Sequence, residues 1–459
     1  MSGYRSLHRE QVVLRGAGDD KNAAADDDDD DDVAIWDVAT STFLAGKSGS
    51  KKRTSPSSTS WRIWCACGDG LVRSFAVEEA SVEAKRDALD ASAASLRCTH
   101  LLAGPSAAAG GGGGTPRSSS LSSSHVALGC TRVRAVRNYV GEDTGPCGDI
   151  VVASIDLGGR VRAWCFEERS GSLDDVEVEE DGAASPPVEP RRVRSKVEFQ
   201  VDDATGTTLE VCPPRSLGPA TDLAAAIGCL DGTVAVVALG FVTPPGGGGG
   251  SGTGSVQKER EPKTPGTMVD VRGSRGSAVP LALCWHPCDR SSNRTLVVGR
   301  QDGVVDVLTE TRKGQHRMAS RHRHPVRAVS YNDDGHLLVS GCDAGLLCVW
   351  DVSRGGASAP PALVHHVSQA HDRGAWILGA TCLPDSRRFV TFGSDRKIRV
   401  WDVGQMHQAS HTFLSDRDVY AVARGGPSPS SSSSSSPQPL RPRLVTGGDG
   451  GWVQLYSVE

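Results

Sequence analysis

The chain has 459 residues, 54 glycines, 22 aromatic side chains and a net charge of −5, a balance that argues against a broad basic surface for nucleic acid. The longest apolar stretch, roughly Val234–Val242, is far short of the ~20 residues of a membrane-spanning helix. Met1–Glu10 lacks the apolar core of a secretory signal, and 13 cysteines without a Cys-x-x-Cys pair read as reduced thiols.

From the N-terminus, Tyr4–Leu14 is compatible with a β-strand and precedes the first predicted inner strand, Ala34–Thr40. One unit then recurs seven times: an apolar strand, a turn holding an aspartate, and a second apolar strand. The copies are IWCACGDGLVRSF, VVASIDLGGRVRAW, AAIGCLDGTVAVV, LVVGRQDGVVDVL, LVSGCDAGLLCVW, FVTFGSDRKIRVW and LVTGGDGGWVQLY. Their aspartates are Asp69, Asp156, Asp231, Asp302, Asp343, Asp395 and Asp449. Asp-Gly and related pairs tolerate the positive φ of tight hairpin turns, so each copy predicts two antiparallel strands.

Successive aspartates are 87, 75, 71, 41, 52 and 54 residues apart, and only the 41-residue gap is free of low-complexity sequence. That period matches the ~40–45 residues of a four-stranded propeller blade. Seven such units occupy 287 positions and leave 172, most of them in insertions at about 18–32, 45–60, 103–124, 168–196, 243–267 and 425–442. The expectation is an all-β chain: one seven-bladed β-propeller over residues 1–459 with low-complexity loop insertions, not three domains. Blade five divides into strands a to d at Pro325–Tyr331, His336–Cys342, Leu346–Val352 and Ala362–Val367. The first strand of blade three is not legible, and Leu209–Ala224 is the least regular part of the pattern. Because the last repeat ends after its c strand, residues 1–16, through Tyr4–Leu14, are expected to complete blade seven and close the ring.

Loops joining a to b and c to d leave one face; loops joining b to c and d to a leave the other. Most of the insertions fall on the first face, so the second is expected to be bare over blades three to seven.

Residues with a chemical look are better read as structure. Gly46-Lys47-Ser48 ends like a phosphate loop, but Ser41 stands where the full pattern needs glycine. Cys284, His286 and Cys288 have no second ligand pair for a structural zinc. Asp26–Asp32 lacks the spaced ligands of a calcium loop and reads as a solvated tract. Arg191–Lys196 and Arg312–Arg327 are basic without the interleaved aromatics that stack bases, and Lys51-Lys52-Arg53 reads as a charged loop. No catalytic constellation, cofactor site or metal site is found, so the expectation is a chain that is not an enzyme.

The pieces CVWDV and RVWDV, with Trp350-Asp351 and Trp401-Asp402, resemble the endings of WD repeats. His371 lies 30 residues before Trp401, with Ser394-Asp395 between them. The resemblance implies a hydrogen-bond network of His371, Ser394, Asp395 and Trp401. The first three repeats lack the Trp-Asp ending. The run from His324 to Glu459, through HPVRAVSYNDDGHLLVSG, AWILGATCLPDSRRFVTFGSDRKIRVWDVG and HTFLSDRDVYAVA, is more specifically similar to the WD-repeat subunits of superkiller (Ski) complexes. VAIWDVA and VDVRGSRG add to that likeness.

It implies a non-catalytic scaffold that holds a helical-repeat protein next to an RNA helicase, feeding RNA to the exosome for 3′-to-5′ decay. It also implies a place in the Paf transcription-elongation complex, hence cytoplasmic and nuclear localisation, with no direct nucleic-acid or membrane contact. Two other classes stay open: a WD-repeat adaptor of another assembly, such as a ubiquitin ligase or chromatin complex, and a propeller enzyme with its site at the central channel.

The partner is expected on the bare face. In each a strand the residue after the first apolar position should reach the channel rim, which gives Trp36, Arg134, Leu281, Arg327, Leu378 and Tyr420, with Trp376 on the same face. Trp, Tyr and Arg are the types enriched at binding hot spots.

Overall fold

Runs of Val, Ile, Ala and Cys suit a pleated surface covered on both sides. In the computed structural model these runs pair into seven four-stranded antiparallel sheets. It describes residues 11–13, 33–43, 60–77, 96–102, 129–137, 150–166, 193–213, 222–242, 263–287, 294–309, 316–317, 322–353, 361–425 and 443–457.

Blade one is Ile35–Phe43, Ser60–Cys67, Val72–Val77 and Leu96–Leu102; blade two is Cys130–Arg137, Ile150–Asp156, Arg160–Phe166 and Val193–Gln200. Blade three is Ala204–Val211, Asp222–Cys229, Val234–Val242 and Met268–Arg272; blade four is Pro280–Trp285, Leu296–Arg300, Val305–Leu308 and His316–Arg317. Blade five is Val326–Tyr331, Leu337–Cys342, Leu347–Asp351 and Ala362–Val367; blade six is Ile377–Cys382, Arg388–Gly393, Lys397–Asp402 and His411–Leu414. Blade seven takes Val419–Gly425, Arg443–Gly448 and Trp452–Ser457, and its fourth strand is Gln11–Val13. That strand runs antiparallel to Trp452–Ser457, with Gln11 opposite Gln454 and Val13 opposite Trp452. The other residues of Tyr4–Leu14 lie outside the described residues.

The b strands are the most deeply buried, as Ile150–Asp156 and Asp222–Cys229 show by being buried throughout. Four of them place glycine where the next blade begins. A Cβ on Gly228, Gly299, Gly341 or Gly447 would stand 2.6 to 3.0 Å from Pro280, Val326, Ile377 or Ile35, the first inner residue of the following blade. Glycine at this position is what lets neighbouring sheets approach so closely.

The b–c turns share a backbone feature rather than a side chain. Opposite the first inner residue of each blade stand Cys67, Asp156, Cys229, Arg300, Cys342, Gly393 and Gly448. Three residues on from these, all seven turns are left-handed: Gly70, Gly159, Gly232, Gly303, Gly345, Arg396 and Gly451, with φ between 59° and 87°. The seven sequence aspartates are therefore not equivalent. Asp69, Asp231, Asp302 and Asp395 directly precede the left-handed residue, Asp343 stands one position earlier, Asp449 precedes two left-handed glycines, Gly450 and Gly451, and Asp156 ends its strand. Five of them, Asp69, Asp156, Asp231, Asp302 and Asp395, accept the amide two residues ahead at 2.9 to 3.2 Å, the local bond that favours Asp in turns.

Several insertion limits move inward. Ser60 already begins a strand, Val193–Lys196 belongs to the outer strand of blade two, and Gly425 ends an inner strand. Lys263–Thr267 is built into blade three: the Gly266 amide donates to the Ala238 carbonyl and the Ala238 amide to Thr267, both at 2.9 Å. The first strand of blade three is Ala204–Val211, hidden in the sequence by Thr and Gly where other blades show apolar residues.

Candidate protein-binding face

Every inner strand begins with a β-bulge. In blades one, four, five, six and seven the extra residue is Trp36, Leu281, Arg327, Leu378 and Tyr420 respectively. A bulge re-aims the side chain it carries: Trp36 lies against Gly68 and Arg327 against Asp343 in the b–c turns, while Leu281 and Leu378 line the channel. In blade two the bulge residue is Thr131, not Arg134. Arg134 lies three residues deeper, inside the channel, because Thr-Arg-Val-Arg offers two arginines and the apolar count begins at Cys130. Blade three has a wider bulge between Ala204 and Leu209.

Two aromatic sites result. Trp36, 43% exposed, stacks on Tyr420 with ring centroids 5.1 Å apart and planes 14° from parallel. Trp376, 46% exposed, receives the Arg327 guanidinium 5.3 Å from its ring centre. Arg327 also donates from Nε to Asp343 at 2.8 Å, which fixes its fork beside the indole. Leu281 and Leu378 are half-buried and line the channel mouth with Arg327. Burial, with Asp449 and Asp418 nearby, pushes the Tyr420 hydroxyl up.

Inside the channel the charges are satisfied internally. Arg134 donates from Nε to Glu210 at 2.6 Å and from Nη1 to Asp37 at 2.5 Å, and Asp37 also accepts the Val133 amide at 3.1 Å. Burial works against the Arg134 charge, but Asp37 and Glu210 outweigh it and raise its pKa. The cavity here is about 90 Å³, space for a few waters.

In blade six, Trp401 Nε1 donates to Thr391 Oγ1 at 2.9 Å, Thr391 Oγ1 meets His371 Nε2 at 2.9 Å, and His371 Nδ1 meets Asp395 at 2.8 Å. The hydroxyl of this network therefore belongs to Thr391, which points inward from the strand. Ser394, already in the turn, instead accepts the Trp376 amide at 2.9 Å and returns its own amide to the Trp376 carbonyl. Burial works against the Asp395 charge, yet the His371 ring and the Asp372 and Lys397 amides hold its carboxyl well below the usual range. Asp402 accepts from Arg387 at 2.9 Å and from the Gly404 amide at 2.7 Å, and Asp351 accepts the Ser353 amide at 2.9 Å.

Blade five has a parallel set that sequence reasoning missed. His322 Nε2 and Trp350 Nε1 both meet Ser340 Oγ at 2.8 Å. The signal was present, since His322 precedes Trp350 by 28 residues, much as His371 precedes Trp401. Exposed Leu157 and Leu230, in the b–c turns of blades two and three, and Leu414 of blade six also escaped the count. They follow the strand pattern, and only the fold reveals them as surface.

His286 Nε2 meets the Gly335 carbonyl at 3.0 Å, burial pushes the Cys284 thiol up to about 12, and Cys288 lies outside the described residues. So do Gly46–Ser48, Lys51–Arg53 and Asp26–Asp32. Among the described residues no helix is long and apolar enough to cross a membrane.

The family model of the WD domain, G-beta repeat, matches residues 315–351 and 363–402. Each match begins at an outer strand and ends at the Trp-Asp pair of the next blade. Among curated proteins, the gastrulation defective protein 1 homolog of Drosophila melanogaster is 23% identical over 153 residues, 32% of this chain and 22% of that protein. LEC14B protein of Lithospermum erythrorhizon is 29% identical over 129 residues, covering 28% and 26%. WD repeat-containing protein 70 of Xenopus laevis is 28% identical over 146 residues, covering 30% and 22%. The chain thus spans about a quarter of the length of these relatives. The crystal structure of Saccharomyces cerevisiae Sqt1 superposes with a TM-score of 0.52 at 11% identity, over 93% of this chain and 96% of that one, a likeness of fold alone. The chain is a seven-bladed β-propeller that carries WD repeats in its fifth and sixth blades, a fold that generally binds protein partners.

Proposed function

We propose that the chain is a non-catalytic protein-binding platform whose partner sits on the face of the b–c turns. The observation that carries this reading is the pair of aromatic sites at two blade seams, Trp36 on Tyr420 between blades one and seven and Trp376 beside Arg327 between blades six and five. Each presents a large, rigid apolar surface with a polar or charged edge, the combination that dominates interface energies. A segment of a partner with an apolar anchor suits the indoles, and Arg327 can offer a further donor to a carboxylate or carbonyl.

Two relatives carry partner names, a p21-activated protein kinase-interacting protein 1-like protein of Xenopus laevis and a retinoblastoma-binding protein 5 homolog of Drosophila melanogaster. They support binding as the function class, not a particular partner. For the assembly, the proposal rests on the likeness of His324–Glu459 to Ski-complex subunits: a scaffold for a helical-repeat protein and an RNA helicase in exosome-dependent RNA decay, cytoplasmic, with a second place in the nuclear Paf complex. An adaptor role in another assembly is the second reading, favoured by the likeness to WD repeat-containing protein 70.

The test is copurification from native extract with the parent chain and with Trp36→Ala combined with Trp376→Ala. A helicase and a helical-repeat protein recovered with the parent support the Ski reading, and a cullin or histone-modifying set supports the second. Loss of about 2 kcal/mol at a hot spot is roughly thirtyfold in affinity. Full recovery of partners by a folded double variant would show that the binding face is elsewhere.

A further inference from the structure

Eight large apolar side chains stand exposed among the described residues, and half of them, Leu157, Leu230, Met268 and Val271, belong to blades two and three. Leu157 and Leu230 are the most exposed of these four, at 55% and 63%, and both occupy b–c turns. They flank one short piece of chain. The Leu230 amide donates to the Asp203 carbonyl at 2.8 Å, and Gly206 packs so closely on Leu157 that a Cβ there would stand 2.7 Å from its carbonyl oxygen. The segment from Asp202 to Thr207 therefore runs between the two leucines and holds both turns in place. Asp203 and Gly206 are left-handed, at φ 56° and 68°, so this segment is a shaped turn leading into the wide bulge of blade three.

Charge distinguishes this sector. The basic side chains near it are engaged: Arg132 with the Thr207 carbonyl at 2.7 Å and Asp37 at 3.7 Å, Arg160 with Glu198 at 3.3 Å, Arg162 with Asp156 at 3.6 Å, and Arg275, itself 90% exposed, with Asp231 at 3.4 Å. Asp202 and Asp203 are exposed and enter no ion pair among the described residues. Blades five and six carry charges of both signs, with Asp372, Asp416 and Asp418 exposed on blade six and its exit loop. There Arg323, Arg373 and Arg396 are exposed outside any ion pair among the described residues. Among the described residues the face of the b–c turns thus carries leucine and unpaired aspartate on blades two and three, and tryptophan with unpaired arginine among exposed acids on blades five and six.

We infer that Leu157, Leu230, Asp202 and Asp203 form a second docking surface for a protein segment in which apolar residues are flanked by lysine or arginine. Apolar contact supplies the anchor, and the two carboxylates select the flanking charge and disfavour an acidic segment. This surface lies across the channel from Trp376 and Arg327, so it does not depend on what binds there.

The probe is a fluorescein-labelled peptide with a leucine core between lysine triplets, compared with the same core between glutamate triplets. Both are titrated onto the full chain by fluorescence anisotropy at low and high salt. The parent should bind the lysine-flanked peptide and discriminate against the other by at least tenfold. Leu157→Ser with Leu230→Ser should weaken binding tenfold or more. Asp202→Asn with Asp203→Asn should weaken it severalfold and flatten the salt dependence, since asparagine keeps the left-handed backbone of Asp203. These substitutions are on the surface, and circular dichroism checks the fold. Equal binding of both peptides by the parent, no binding at all, or undiminished binding by the folded double variants, as through the Asp26–Asp32 run, would overturn the inference. The Trp36/Trp376 variant should bind this peptide like the parent, which separates failure here from failure of the platform reading.

Discussion

Blade six and blade four secure their b–c turns with opposite chemistry. In blade six a line of groups within the blade and its entry loop runs from Trp401 to Thr391 to His371 to Asp395, each linked to the next by one hydrogen bond. In blade four Arg300, 1% exposed, does comparable work alone. Its Nε meets Asp306 at 2.5 Å, and its Nη1 reaches two carbonyls, Gly232 at 2.8 Å and Ala278 at 2.7 Å. Gly232 belongs to the preceding blade, so the guanidinium ties sheets together where the aromatic line secures only its own. Blade two repeats the device, with Arg162 reaching the Gly70 carbonyl of blade one at 3.4 Å. One side chain with five donors replaces several residues, but it brings a charge into the interior.

The first way to break this comparison is to remove each device. Arg300→Leu takes the guanidinium from a buried carboxylate and two carbonyls and should cost about 3–5 kcal/mol. Thr391→Val leaves the Trp401 N–H and the His371 ring without their shared hydroxyl and should cost about 1–3 kcal/mol. Ser394→Ala should cost less than Thr391→Val, because Ser394 holds a surface amide. Urea midpoints of the three variants give the order; a Thr391 variant less stable than the Arg300 variant would show that the charged device is not the fragile one.

The same contrast explains what could be read in the sequence. Blades five and six were legible because Trp350-Asp351 and Trp401-Asp402 mark strand ends, and the count of seven followed from the turns. Register within the turns was not, because the shared element is a left-handed backbone at Gly70, Gly159 and their equivalents, and aspartate merely stands near it. The resemblance implied Ser394 where Thr391 stands in the network, because spacing along a chain does not say which hydroxyl faces inward. Arg134 was placed at the rim for a related reason: a bulge shifts the alternation by one residue, and Thr131 carries no hydrophobic signal. Trp36, Leu281, Arg327, Leu378 and Tyr420 stand at the bulge position, and each follows an apolar first inner residue that is legible in the sequence.

Blades five and six also differ from each other, and pH sharpens that difference. In blade six Asp395 faces His371, whereas in blade five Asp343 is turned to Arg327 at 2.8 Å. Burial lowers the His322 pKa from 6.5 to about 4. The folded state therefore favours neutral His322, and its contribution is present above pH 6.5 and lost as pH falls toward 4. The loss should reach about 3 kcal/mol over that window. Asp395 acts lower: its carboxyl is held down in the fold, so its contribution is lost only below the ordinary carboxylate range near 4. Melting temperatures measured from pH 7.5 to 4 should fall for the parent and fall less for His322→Gln. An identical slope in the variant would assign the acid sensitivity to other groups.

The smallest effect concerns the insertions, none of which falls within blades four to six. Residues 245–261 of blade three stand in a c–d connection whose composition cannot bury enough apolar surface to offset ordering entropy. Closing such a loop costs only ~0.6 kcal/mol per doubling of length, so a short Gly-Ser replacement should shift stability by less than about 1 kcal/mol. Extending the replacement through Thr267 is different. It removes the Lys263 amide from Asp222, at 3.0 Å, and the paired bonds of Gly266 and Thr267 with Ala238. It also removes Gly266 from the Phe199 ring, which a Cβ there would approach to 3.0 Å. Three buried or half-buried bonds at about 0.5–1 kcal/mol each put the longer replacement near 2 kcal/mol. Denaturation of the two variants side by side locates the boundary. Equal stability would mean that Lys263–Thr267 adds nothing to the blade, and a large loss from the shorter replacement would place residues 245–261 in the folded core.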